Sequence, residues 1–376
     1  MDERNATNPL FNDNKLKLGI FAANVSHGGA ISTAKGGLDI TWPNVRSLAV
    51  AADRAGLEAF VPVARWKGFG GESDFNGTCF ETYTWAAGIA EATSNICIVA
   101  TSHAPTMNPI LAAKQAVTID HISNGRFALN VVCGWFGPEF QMFGITMLDH
   151  DARYAYAGEW LEVMRKIWTS EKEFDYDGKY FQLKGCLGLP KPLQRPSLPI
   201  MNAGQSEVGQ RFAAQNGDMV FGALLDHSNF DAIKAQLDRQ REQSRAFGRN
   251  PGMWVNGYVV CKPTEKEAQD YLHHYVVEKG DDVAVTNLCN VLGLQSGSVP
   301  AEMLEGFKYH LKAGWGGYPL VGTPEQIVDK LQKLSKAGVD GILLTWLDYA
   351  DGLSVWTRDV LPLMEQAGLR RPFTAK

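Results

Sequence analysis

No stretch of this 376-residue chain stays apolar for the ~18 residues that a membrane-spanning helix needs. Its polar start, Met1-Asp2-Glu3-Arg4-Asn5, also lacks the apolar core of a secretory signal. A cytoplasmic protein with no membrane partner is expected. Runs of like charge are absent, and 41 acidic against 36 basic residues leave no basic footprint for nucleic acid. The six cysteines (Cys79, Cys97, Cys133, Cys186, Cys261, Cys289) never form a Cys-x-x-Cys pair. That argues against a metal site and for reduced, mostly buried thiols. In such a setting the Asn-x-Ser/Thr triplets at Asn5, Asn24 and Asn76 are chance matches. No His-Glu-x-x-His, P-loop or Gly-x-Gly-x-x-Gly occurs, and the glycines of Gly68–Gly71 are too compressed for a dinucleotide turn. Gly204-Gln205-Ser206-Glu207-Val208 fails to complete a nucleophile elbow. A small molecule is the expected partner.

What the chain does have is a repeating junction in which a helical segment ends, a Gly supplies a left-handed cap, and a short β-rich run follows. It recurs around Gly56, Gly125, Gly217 and Gly338. Strand candidates are Leu16–Phe21, Ala59–Pro62, Ile96–Thr101, Phe127–Val132, Pro199–Asn202, Met219–Gly222, Trp254–Val260 and Ile342–Trp346. Helical faces lie between them, such as Val45, Leu48, Ala49 and Ala52, or Ala157, Trp160, Leu161, Met164, Ile167 and Trp168. Eight strands alternating with helices favour an α/β fold of the (β/α)8 TIM-barrel type over a doubly wound sheet. The chain reads as a single domain, 1–376, with a flexible 1–14 and two interruptions. Residues 173–199 carry an Asp-Gly turn between aromatic runs, a β-hairpin signal, and 281–320 lack clear period, as a lid or a subunit contact would.

In a barrel, side chains at the carboxyl ends of strands and on the loops that follow face the site. Ser206 stands where it would cap the next helix, whose free N–H groups attract an anion such as phosphate. A plain capping Ser is the equally open alternative. Asn130 ends an otherwise apolar strand and needs a partner, whether structural or functional. Glu139 and Arg153, taken alone, suggest a surface ion pair. His27, His103, His150 and His227 all fall near the proposed mouth, although lone histidines more often pack than catalyse.

Several stretches together, in this order, carry a resemblance: Arg65–Gly71 (Arg-Trp-Lys-Gly-Phe-Gly-Gly), Thr118–Arg126 (Thr-Ile-Asp-His-Ile-Ser-Asn-Gly-Arg), Asn130–Glu139, His150–Tyr154 and Ala203–Ser206. From about Lys17 to the carboxyl end the chain resembles the bacterial luciferase-like flavin-dependent monooxygenases. It is most similar to their pyrimidine monooxygenase and dimethylsulfone monooxygenase branch. The resemblance implies a two-component system, in which an NAD(P)H-dependent flavin reductase supplies FMN as FMNH2 and one oxygen atom of O2 enters a small heteroatom-containing substrate. An N-heterocycle, amide, sulfone or sulfonate would then lose a C–N or C–S bond. It further implies that Ala64 and Arg65 lie against the flavin, that Asn130 and Glu139 contact its ring or ribityl chain, and that Arg153, Tyr154 and Ser206 hold the rest of FMN. Thr101 and Asn130 match the catalytic pair near the flavin N5 edge and point to an oxygen adduct at N5. The family's strained non-prolyl cis peptide would fall at Ala100–Thr101. A homodimer or homotetramer is implied as well. Val25–Gly37 and Asp281–Gly317 diverge from the pyrimidine enzymes and are the expected specificity walls, while Phe136 and Gly137 replace polar residues and argue against uracil. The same barrel also hosts deazaflavin-dependent dehydrogenases, and a non-catalytic flavin-binding protein or an unrelated phosphosugar isomerase on a barrel remains open.

Overall fold

Each amphipathic helix leaves one apolar stripe uncovered, and a sheet whose residues alternate in direction can cover it. The computed structural model describes residues 7–224, 226–294 and 300–374. Its strands are β1 (Lys17–Phe21), β2 (Ala59–Val61), β3 (Cys97–His103), β4 (Phe127–Val132), β5 (Phe174–Asp177), β6 (Gln182–Cys186), β7 (Ile200–Asn202), β8 (Met219–Gly222), β9 (Gly252–Cys261), β10 (Tyr318–Gly322) and β11 (Gly341–Thr345). The main sheet runs in parallel in the order β9-β11-β1-β2-β3-β4-β7-β8, and β8 pairs back onto β9 from Met219↔Gly252 to Gly222↔Val255. It is therefore a closed eight-stranded barrel with helices outside, a TIM barrel, and every strand candidate from the sequence contributes to it. β5 and β6 form a separate antiparallel hairpin.

The period of two in each strand sorts the core from the site. Phe21, Ala59, Val61, Cys97, Val99, Ala128, Met201, Met219, Trp254 and Leu343 form one cluster inside the barrel. Two residues further along the same strands, on the same inward face, come Thr101, Asn130 and Asn256. The barrel is thus apolar in its middle and polar at its mouth.

Three expectations change. The segment 281–320 contains helices Asp282–Val291 and Ala301–Gly314 and leads into β10, an unforeseen strand; Gly297 lies outside the described residues. β10 begins Tyr318-Pro319, and a Pro early in a run weakens any strand signal. It pairs along the far half of β9, from Gly257 to Cys261, beyond the point where β8 stops. At the amino end, 1–6 lie outside the described residues, but the stretch from Thr7 on packs against the barrel. Asn8 donates to Phe127 O and Gln194 Oε1, and Leu10 joins the interior cluster. Finally, Gly56, Gly125 and Gly338 do take positive φ, whereas Gly217 has φ −78°. Its requirement is space: a Cβ there would stand 2.8 Å from Ala213 O.

Candidate active site

Asn24 fixes the entrance to the loop after β2. Its amide donates to Val63 O and its Oδ1 accepts from Val63 N, both at 2.8 Å. Arg65 then turns inward to become 5% exposed, and its Nη1 donates to Glu139 Oε1 at 3.3 Å. Glu139 comes from the short helix Gly137–Met142, is 1% exposed, and also accepts from Trp66 N at 2.7 Å. His103 Nδ1 stands 3.5 Å from the other carboxylate oxygen, at the outer limit of a hydrogen bond. Burial alone would raise the Glu139 carboxyl, but His103, Arg65 and the Trp66 N–H together hold it below its ordinary value. The Arg65 guanidinium lies 5.0 Å from Trp135, 5.2 Å from Phe69 and 5.3 Å from Phe136, a cation wrapped by three rings. Glu139 is therefore no surface partner of Arg153; the fold delivers it to Arg65 instead. Ala64, beside this pair, is buried.

Thr101 and Asn130 face each other across β3 and β4, and Asn130 Nδ2 donates to Thr101 Oγ1 at 3.2 Å. Thr101 in turn donates to Pro62 O at 2.7 Å, and its carbonyl accepts from Thr82 Oγ1 at 2.6 Å. Asn130 Oδ1 is buried without a partner. The Ala100–Thr101 bond is not cis; among the described residues the cis bonds precede Pro190 and Pro196. Unbroken β3–β4 register through His103↔Val132 leaves no place for the expected distortion.

Arg153 and Tyr154 lie on the first turns of helix His150–Thr169. Arg153 Nη1 donates to Gly134 O, while its Nε is buried without a partner. Tyr154 reaches the start of helix Glu207–Asn216, where a Cβ on Gly209 would meet its hydroxyl at 2.5 Å. Burial, followed by the Cys133 thiol, raises the Tyr154 phenol; the Ser206 hydroxyl and Arg153 oppose that shift. Ser206 does cap its helix, accepting from Gly209 N at 3.1 Å. Capping and anion binding are compatible, because the N–H groups of the first turn have no intrahelical partner.

The candidate residues thus meet as three groups on one rim: Ala64–Arg65–Glu139, Thr101–Asn130 and Arg153–Tyr154–Ser206. Three further features escaped the sequence reading: the contact of His103 with Glu139, the buried Asn256 on β9, and the Trp315 indole, which joins Phe69 and Phe75 at 6.2 and 5.6 Å. Of the other histidines, His150 is exposed beside Asp151, and burial lowers the His27 imidazole.

His227 packs edge-on against His310 at 4.7 Å. Burial, then His310, brings its pKa down to about 4, with Asp226 opposing. A lowered base binds its proton more readily in the unfolded chain, so stability falls as pH drops from ~6.5 towards that value. Unfolding midpoints measured across this window are expected to slope downward towards acid, with a shallower slope in His227→Gln; an unchanged slope contradicts this.

Residues 16–341 match the family described as luciferase-like monooxygenase. The chain is 31% identical over 361 residues to the FMNH2-dependent dimethylsulfone monooxygenase of Pseudomonas putida, covering 93% of this chain and 96% of that one. It is 31% identical over 358 residues to the pyrimidine monooxygenase RutA of Acinetobacter baylyi, at 93% and 95% coverage. Among solved structures, a riboflavin lyase with modified FMN and riboflavin superposes with TM-score 0.84 at 20% identity, over 96% of this chain and 94% of that one. The last similarity concerns the fold alone.

Proposed function

We propose, for a chain that belongs to the luciferase-like monooxygenase family, that it is an FMNH2-dependent monooxygenase inserting one atom of O2 into a small heteroatom-containing substrate. An N-heterocycle, amide, sulfone or sulfonate would undergo C–N or C–S cleavage. Reduced FMN supplies the electrons that activate O2. The observation that carries the reading is Asn130: a buried amide on the mouth face whose Oδ1 has no partner. It fits a ring donor, since a buried acceptor left unpaired is costly.

The remaining residues fit the same ligand. Arg153, with its unpartnered Nε, and the helix start capped by Ser206 suit a phosphate, and the Tyr154 hydroxyl stands beside them. Ala64 and Arg65, braced by Glu139, would form the wall beside the ring system. Thr101 accepts from the Asn130 amide and holds it in place, and would stand beside the flavin edge at which oxygen reacts. Phe69 and Trp135 cover the Arg65 guanidinium and would help to keep bulk water from a bound flavin. An NAD(P)H-dependent reductase as partner, a cytoplasmic setting, and a homodimer or homotetramer belong to the same proposal. Among the described residues no helix is long and apolar enough to cross a membrane.

The test is oxygen uptake with a flavin reductase, FMN and a panel of sulfones, sulfonates, amides and N-heterocycles, with products followed by mass spectrometry. Substrate-dependent product is expected. Thr101→Val should lower product formed per oxygen consumed by about tenfold, equivalent to about 1.4 kcal/mol. Unchanged coupling removes Thr101 from the chemistry, and hydride transfer to a deazaflavin without oxygen use replaces the whole reading.

A further inference from the structure

Helix Ala301–Gly314 ends on Trp315, which takes the left-handed conformation at φ 53°, ψ 36°. Bulky L-residues rarely accept that conformation, and glycine is the usual occupant of the position. Gly316 and Gly317 follow at once, so a shift of one residue would have put a glycine there. The strained backbone instead sets the indole among Phe21, Phe69 and Phe75, at ring separations of 6.5, 6.2 and 5.6 Å. Phe69 continues the aromatic surface to Phe136 and Trp135, at 5.2 and 6.3 Å. The indole is only partly buried, and it packs where the barrel-interior cluster meets the Phe69–Phe75–Phe136 cluster.

Charge on this side of the mouth is already balanced. Arg65 is bonded to Glu139 and enclosed by rings, Lys312 bonds Asp282 at 2.8 Å, and Lys67 faces solvent. An anionic substrate would lose its hydration here without gaining a free counter-ion. One polar demand is left over. Asn256 donates through Nδ2 to Gly314 O at 3.0 Å, directly before Trp315, and its buried Oδ1 has no partner. That oxygen accepts, so it calls for an N–H or O–H.

We propose that Trp315 selects the substrate, and that the substrate is an uncharged heteroaromatic ring carrying an N–H or O–H donor for Asn256. This rests on the reading of the chain as a flavin monooxygenase and narrows its four substrate classes to one. Indole and substrate ring meet face or edge, as aromatic pairs do, while Asn256 fixes the rotation of the substrate in its own plane.

The experiment is calorimetric binding of pyridone and quinolone lactams, their N-methyl derivatives, dimethyl sulfone and benzenesulfonate to the purified chain, with and without FMN. FMN affinity is measured separately by flavin fluorescence. The lactams should bind at least about tenfold tighter than sulfone or sulfonate, and N-methylation should weaken them. Trp315→Gly, which relieves the left-handed backbone, should cost about tenfold in lactam affinity, and Trp315→Phe under about threefold. Both variants should keep the parent's FMN affinity, while Trp315→Gly should also lower the melting temperature because it removes the ring contacts with Phe21, Phe69 and Phe75; lactam affinities are therefore compared below the onset of unfolding. Sulfone or sulfonate binding as tightly as the lactams, lactams that do not bind, or an unaltered Trp315→Gly overturns the proposal. Failure to bind reduced FMN under anaerobic conditions overturns the flavin reading instead.

Discussion

Glu139→Ala is expected to destabilise the protein by about 3–5 kcal/mol and to weaken FMN binding in the fraction that stays folded. The carboxylate is buried, and it is the shared acceptor for the Arg65 guanidinium and the Trp66 N–H. Removing it strands a guanidinium among aromatic rings, which costs more than the ion pair contributes in net terms. It also frees the loop after β2, the wall assigned to the flavin ring. Glu139→Gln should retain an acceptor for Trp66 while losing the charge, and so should fall between parent and alanine variant. Urea midpoints with a flavin fluorescence titration separate the two effects. The pH dependence has a definite sign: because the folded carboxyl sits below its unfolded value of ~4.3, its stabilisation is present above that value and fades as pH falls through the folded one. Parent-like stability and affinity in Glu139→Ala would dismiss the brace.

Arg126→Ala should cost a similar amount, about 3–5 kcal/mol, with no change in FMN affinity. The guanidinium is 7% exposed and donates to Ile96 O at 2.6 Å, Thr93 O at 2.8 Å and Ala90 O at 3.2 Å. It ties the end of helix Thr82–Ala92 to the start of β3, where a positive charge meets the negative end of the helix. Each charged hydrogen bond lost is worth about 1.5–3 kcal/mol, and neighbours do not add fully. Arg126→Lys restores charge but not the fork, so it should recover only part of the loss. Since Arg126 stands just before β4 while Asn130 lies near its far end and Glu139 follows it, the proposed flavin site should be spared. A large fall in FMN affinity without lost stability would contradict this division.

That division was legible in the sequence, because a residue just before a barrel strand lies on the face away from the site. The eight barrel strands were legible too, as short apolar runs between helical faces, four of them after helix ends marked by glycine. β10 was not: Tyr-Pro-Leu-Val-Gly is short, and its pairing depends on where β8 stops along β9. For the site, residue identities could be read but partners could not. Glu139 and Arg153 lie 14 positions apart, close enough to suggest a pair, whereas the partner actually chosen, Arg65, arrives from another loop. Trp315 and Asn256 were hidden for a related reason. One depends on a left-handed backbone that no Trp advertises, and the other on an inward register that only the closed barrel defines.

The central claim is tested most directly by supplying reduced FMN, a reductase and isotopically heavy oxygen gas with a heteroatom-containing substrate, and weighing the product. One heavy oxygen atom per product molecule is the predicted result. Product whose new oxygen comes only from water, or no product across a broad panel while FMN stays bound, would contradict it.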